Sequence, residues 1–174
     1  STVTINAGSG DDYIEIVGTG SATVNAGSGN DFIIHNVQNG IAGSAVINGG
    51  SGIDKIIGGI STDQIYGDEG DDDISGPAKR IDAGSGADLV TFEMEDQLID
   101  SHISLGGNSG DQLDLWGTVG NDQVMIEEKG AQLGVGFGDY ELTIDGVKVF
   151  KLYGAAGSDE VKIDGVKTTG LEQF

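Results

Sequence analysis

The amino-acid sequence predicts an all-β solenoid, an elongated stack of two-stranded coils rather than a compact globule. Three observations predict it. Of 174 residues, 32 are glycine and one is proline, so the chain turns very often without the proline content of a disordered linker. A nine-residue unit recurs along it, and internal repetition is the sequence signature of stacked architectures. Between the units, residues alternate as half-buried strands do. "DYIEIV" (12–17) sets Tyr13, Glu15 and Val17 on one face and Ile14 and Ile16 on the other, and "ATVN", "AVIN", "DQLDLW", "DQVMIE" and "DEVKI" behave alike.

The units begin at Ala7, Ala26, Gly49, Gly58, Gly67, Ala83, Gly106, Gly117 and Gly154. Four openings are near-copies: "NAGSGDD" (6–12), "NAGSGND" (25–31), "NGGSGID" (48–54) and "DAGSGAD" (82–88). Every unit has an aspartate sixth: Asp12, Asp31, Asp54, Asp63, Asp72, Asp88, Asp111, Asp122 and Asp159. Every unit has an aliphatic residue eighth: Ile14, Ile33, Ile56, Ile65, Ile74, Val90, Leu113, Val124 and Val161. The aspartates at 12, 31, 54, 72, 88 and 111 are 19, 23, 18, 16 and 23 residues apart, about one coil of two strands and two turns each. They therefore form a column along one edge. Asp54, Asp63 and Asp72 are nine apart, which puts Asp63 on the opposite edge. Roughly eight or nine coils at a strand spacing of about 4.8 Å would make a rod roughly 40 Å long, cored by a thin ladder of Ile, Val and Leu.

This register resembles the glycine- and aspartate-rich nonapeptide G-G-x-G-x-D-x-U-x of RTX (repeats-in-toxin) proteins, the hemolysin-type calcium-binding repeat of bacterial surface and secreted proteins. The resemblance covers residues 6–75 tightly and 83–125 more loosely. It implies a right-handed parallel β-roll or β-helix with calcium-binding turns and several Ca2+ ions. The oxygen chemistry agrees. Calcium takes six to eight oxygens at roughly 2.3 to 2.6 Å, from carbonyls and carboxylates. Glycine lets a tight loop take positive φ and turn carbonyls inward. One loop closed by an aspartate supplies half a shell, and the loop stacked on it supplies the rest. The candidate metal ligands are the nine aspartates, together with the loop residues Gly8, Gly10, Gly27, Gly29, Gly50, Gly52, Gly84 and Gly86.

The pattern has departures. Units at Gly58 and Gly106 have a glycine replaced or shifted, at Ser61 and Ser109, which weakens the case for Asp63 and Asp111. "SGPAKRID" (75–82), "VGTGSATV" (17–24) and "VQNGIAGSAV" (37–46) are turns that break the calcium pattern, so one edge carries calcium loops and the other mostly ordinary turns. Asp11, Glu69, Asp71 and Asp73 flank the key positions and read as surface charge. From Met125 to Leu152 the nonapeptide disappears, although "IDGVK" at 144–148 returns at 163–167, again 19 residues on. The expected organisation is a single elongated array: a calcium-binding roll over 1–125, then a degenerate β-helix continuation over 126–174 containing a last unit.

Composition excludes several functions. Acids outnumber bases 29 to 8, for a formal charge of −21. Such self-repulsion opposes a compact state unless cations neutralise it. Nucleic acid and anionic membrane surfaces are excluded as partners, since Arg80 is the one arginine and no basic stripe exists. No cysteine is present, so disulfides, zinc thiolates and a thiol nucleophile are ruled out. No apolar run has the length of a membrane span. His35 and His102 read as sheet-face residues, and Trp116, Phe32, Phe92, Phe137 and Phe150 as packing rather than a sugar platform. With so many acids, carboxylate pairs say little about glycosidase chemistry, and no serine elbow stands apart from the repeated "GSG". An enzyme is not expected.

The expected function is that of a calcium-dependent structural segment of a secreted bacterial cell-surface or matrix protein, such as an adhesin, surface-layer protein or filament subunit. It folds on binding extracellular calcium. The alternative is an accessory module of a secreted protease, lipase or polysaccharide-modifying enzyme. Ice binding is disfavoured because the threonines form no regular ladder. Neither end carries a polar cap, which solenoids need for solubility. This predicts either the remainder of a longer chain or end-to-end self-association.

Overall fold

A computed structural model describes residues 1–18, 20–37, 43–94 and 100–164. Among them every regular element is a strand, and no helix is long and apolar enough to cross a membrane. Six successive coils pair β1 (Thr2–Ser9) with β2 (Tyr13–Val17), β3 (Ser21–Ser28) with β4 (Phe32–Asn36), and β5 (Ala45–Ser51) with β6 (Lys55–Ile57). They continue with β7 (Gln64–Glu69) and β8 (Asp73–Ser75), β9 (Arg80–Asp82) and β10 (Leu89–Glu93), β11 (Ser101–Ser104) and β12 (Gln112–Trp116). Odd strands stack in parallel in one sheet and even strands in a second, so the fold is the parallel β-roll the repeat implies.

The alternation fixes the register, because a one-residue slip would turn every core residue to solvent. In the second sheet the eighth-position residues Ile14, Ile33, Ile56, Ile74, Val90 and Leu113 stand opposite one another, strand by strand. In the first sheet the matching row is Ile5, Val24, Ile47, Ile65, Ile81 and Ile103. From Val24 and Ile33 onward these rows are wholly buried and form the core. Outside, Asn48 donates to Asn25 (2.8 Å) and Asn25 to Asn6 (2.7 Å), an amide ladder that ties three coils on the solvent face.

Beyond β12 the chain departs from the expected β-helix continuation. β13 (Gln123–Lys129), β14 (Gln132–Phe137) and β15 (Tyr140–Asp145) form an antiparallel meander. The reason is local: two-residue connections, with Gly130 and Gly138 at φ 71° and 59°, close hairpins but are far too short for a parallel crossover. β15 then pairs with β11, and β16 (Val149–Tyr153) with β12, making a seventh coil. β17 (Glu160–Asp164) pairs with β13. The described starts of the two "IDGVK" copies are not stacked, since β14 and β13 lie between β15 and β17; residues 165–167 of the second copy, like 38–42 of the 37–46 turn, lie outside the described residues. Among the described residues the stack has seven coils rather than eight or nine. The expected division at 125/126 falls within β13, and both sheets continue past it.

Candidate metal centre

At the first edge, loops lead from each odd strand of the roll to its even partner, and they place Asp12, Asp31, Asp54, Asp72, Asp88 and Asp111 in one column. From Asp31 onward each carboxylate reaches back to the coil before it. Oδ1 of Asp31 accepts the Asp12 N–H (2.8 Å), and Asp54 accepts from Asp31 (2.8 Å), Asp72 from Asp54 (2.8 Å), Asp88 from Asp72 (3.0 Å) and Asp111 from Asp88 (3.2 Å). The other oxygen, Oδ2, is buried without a hydrogen-bond partner in all six. Five of these residues, from Asp31 onward, are at most 2% exposed. A buried, unpaired carboxylate oxygen is costly unless a cation meets it.

The loops stack through glycine. All eight sequence-predicted glycines have φ between 104° and 142°. A Cβ on Gly52 would run into the Gly29 carbonyl oxygen, and one on Gly29 into that of Gly10. The glycines thus serve both backbone conformation and coil-to-coil approach. The next coil's main chain also pairs with them: Gly29 N–H donates to the Ser51 carbonyl (2.9 Å) and Gly52 N–H to that of Glu69 (2.8 Å). Asp11 and Asp71 do more than carry surface charge, since Asp11 accepts the Asn30 N–H (2.8 Å) and Asp71 that of Ala87 (2.7 Å). Asp68 stands in for a glycine at φ 75°; the "GDEG" spacing held that signal.

This crowding of carboxylates shifts their acidity. Burial, foremost, and the charges of Asp54, Asp88 and Asp68 push the Asp72 carboxyl from an ordinary 3.8 up to about 7, against the Asp54 N–H that lowers it. Burial and the charges of Asp111 and Asp71 push Asp88 up to about 6. Asp54 and Asp111 are raised for the same first reason. Asp111 differs in having Lys148 across the next coil, whose charge lowers it. There the 146–148 turn replaces the repeat's glycine loop, with the Lys148 and Val149 N–H groups donating to the Asp111 carbonyl (3.1 and 2.9 Å).

The second edge treats its aspartates differently. Asp63 is fully buried, and both oxygens are engaged. Oδ1 accepts the Ala45 N–H (2.8 Å), and Oδ2 accepts the N–H groups of Gly59 (2.9 Å) and Ile60 (3.2 Å) and pairs with His35 Nδ1 (2.7 Å). Both Asp63 oxygens thus have donors, unlike the Oδ2 atoms of the first edge. His35 lies on a sheet face, the inner one of β4, and its side chain is 0% exposed. Its pairing, 28 residues away in sequence, had no sequence signal. Asp122 also sits at this edge, between β12 and β13, with Oδ2 accepting the Thr118 N–H (2.8 Å) and Oδ1 the Thr118 hydroxyl (2.7 Å). Asp159 is exposed and accepts the Asp122 N–H (3.0 Å).

Among the described residues no three carboxylates or imidazoles cluster as a metal-ligand set. The donor set of the first edge is instead one carboxylate per loop plus main-chain carbonyls, which suits a hard, oxygen-seeking cation such as calcium. The space beside Gly67 shows the fit. Asp72 Oδ2 and the Ala83 carbonyl oxygen, from successive loops, both converge where a Cβ would stand. The RTX calcium-binding nonapeptide repeat family matches residues 3–15, 16–35 and 39–75, with four copies. Those matched residues are similar to RTX calcium-binding repeats. RTX nonapeptides bind calcium, and several copies imply several ions. The match ends at residue 75, yet the RTX edge geometry, the Oδ1 ladder and the unpartnered Oδ2, continues through Asp88 and Asp111. No curated protein and no solved structure matches the chain.

Proposed function

We propose that this chain is a non-catalytic structural segment of a secreted bacterial surface or matrix protein, of the adhesin, surface-layer or filament kind, that folds when it meets extracellular calcium. The observation that carries the reading is the column of six buried Oδ2 atoms without partners along one edge. Without a cation that column repels itself, within a chain of formal charge −21. In millimolar calcium, ions that bind only the folded roll stabilise it by mass action. Low calcium inside a cell keeps such a chain open for export, and high calcium outside closes it. The Asp column holds the metal, the loop carbonyls complete its shell, and the amide and aliphatic ladders keep the coils in register.

Far-ultraviolet circular dichroism of the chain during a calcium titration, reversed with chelator, tests this reading. A strand spectrum that appears with calcium and disappears with chelator supports it. A spectrum identical in both contradicts it.

A further inference from the structure

The first position of the repeat is not uniform along the first edge. It is alanine in the loops 7–12, 26–31 and 83–88 and glycine in 49–54, 67–72 and 106–111; Gly106 stands apart, at φ 82° and with the Gly84 carbonyl oxygen rather than a carboxylate where its Cβ would be. Backbone conformation does not require this difference, for Gly49 and Gly67 lie outside the positive-φ region where their loop neighbours Gly50 and Gly70 stand at 113° and 137°. The space beside each Cα does. A Cβ on Gly49 would run into Asp54 Oδ2, with the Gly67 carbonyl oxygen 2.9 Å away, and one on Gly67 would run into Asp72 Oδ2 and the Ala83 carbonyl oxygen. In each case the loop's own carboxylate and a carbonyl of the following loop are aimed into one shared space. Both carboxylate oxygens are buried and lack a hydrogen-bond partner, as do those of Asp12, Asp31 and Asp88 in the alanine loops, so the difference lies in the space beside the Cα. In the alanine loops a methyl group stands there instead. Ala26 and Ala83 are 0% exposed, so their methyls point into packed surroundings.

We propose that the first-position residue grades calcium affinity along the column: the loops opened by Gly49 and Gly67 hold the tight ions, and those opened by Ala7, Ala26 and Ala83 hold weaker ones. The proposal rests on the reading of the first edge as the calcium site. A methyl group supplies no oxygen, and it keeps the carboxylate from closing over the Cα toward the next loop's carbonyl. Six to eight oxygens must crowd around one ion, so losing that approach weakens the shell. Gly49 and Gly67 belong to consecutive coils in the middle of the roll, through the β5–β7 pairing. Calcium therefore orders the middle coils first and the flanking coils at higher concentration.

Calorimetric titration of the full chain with calcium chloride tests the grading, in the wild type, in Gly49→Ala/Gly67→Ala and in Ala26→Gly/Ala83→Gly. Alanine already occupies this position in three loops, whereas a methyl on Gly67 must displace the Ala83 carbonyl oxygen, so the first pair is checked for folding by circular dichroism. It is expected to weaken the two tightest binding steps by about tenfold, the lower end of what changes around a metal's ligands cause. The second pair is expected to add steps at the tight affinity, and it decides the matter alone should the first pair not fold. Unchanged affinities in the variants that fold overturn the grading. Circular dichroism on the same samples separates the two readings. A wild type indifferent to calcium overturns the calcium site itself, whereas calcium-driven folding with unchanged affinities overturns only the grading.

Discussion

At the first edge Asp54 gives one oxygen to the Asp31 N–H and leaves the other buried and unpartnered. At the second edge Asp63, sixth in the same nine-residue unit, has both oxygens filled by Ala45, Gly59, Ile60 and His35. The difference comes from what the loop backbone presents. "GGSGID" (49–54) carries positive-φ glycines at its second and fourth positions, Gly50 and Gly52. "GGISTD" (58–63) has Ser61 at the fourth, and its N–H groups fold back on the carboxylate as donors. Inward donors make a home for the aspartate's own charge, and converging oxygens make one for a cation. The sixth-position aspartate alone therefore does not determine whether its oxygens are left unpartnered.

The largest expected effect breaks the comparison at the second edge. Asp63→Ala leaves buried His35 and three N–H groups without an acceptor and should destabilise the fold by about 3–5 kcal/mol, the usual consequence of removing one partner of a buried pair. Chemical denaturation should show the same loss at saturating calcium before and after a further increase in calcium, and the number of bound ions should not change. A lost ion would show that Asp63 is a ligand after all.

A smaller effect is expected at the first edge. Gly70→Ala places a methyl at φ 137° against the Gly52 carbonyl oxygen, and strain of this kind costs about 1–3 kcal/mol before any clash is counted. It should raise the calcium concentration at the folding midpoint seen by circular dichroism. An unchanged midpoint would mean that the loops do not stack as closely as described.

The raised carboxyls give a pH test of the same contrast. A carboxyl whose pKa is higher in the folded than in the unfolded chain stabilises the fold when protonated, and that contribution is lost as pH rises through the folded value. For Asp88 and Asp72 those values are about 6 and about 7, raised mainly by burial. In chelator the roll should be more stable at pH 5 than at pH 8, with acid partly substituting for calcium. With calcium present, the apparent affinity should instead fall as pH drops below about 7, because protons compete for the same oxygens. Thermal melts in chelator that do not depend on pH between 5 and 8 would contradict the burial of this column.

The smallest effect sharpens the column's end. Lys148 faces Asp111 across the last coil and opposes a cation there. Lys148→Gln should tighten calcium at that loop by about threefold, since one half-exposed charge contributes up to about 1 kcal/mol. Lys148→Arg should leave it unchanged.

Much of this was legible in the sequence because the repeat makes local and stacked order coincide. The 19, 23, 18, 16 and 23 spacing placed the Asp column, and the eighth-position residues gave the second-sheet core row from Ile14 to Leu113. What escaped depends on distant partners. The His35–Asp63 pair joins residues of different coils, and neither residue type announces the other. The β13–β15 meander escaped because alternation reads the same in either strand direction, and only the two-residue turns at Gly130 and Gly138 carried the reversal. Gly49 and Gly67 looked interchangeable with Ala26 and Ala83 until the neighbouring oxygens were placed.

Anomalous diffraction from crystals grown in calcium tests the central claim most directly. Difference peaks should lie within about 2.6 Å of Oδ2 in Asp31, Asp54, Asp72 and Asp88, the calcium–oxygen bonding distance, with none beside Asp63. An empty first edge, or an ion held by Asp63, would contradict the account.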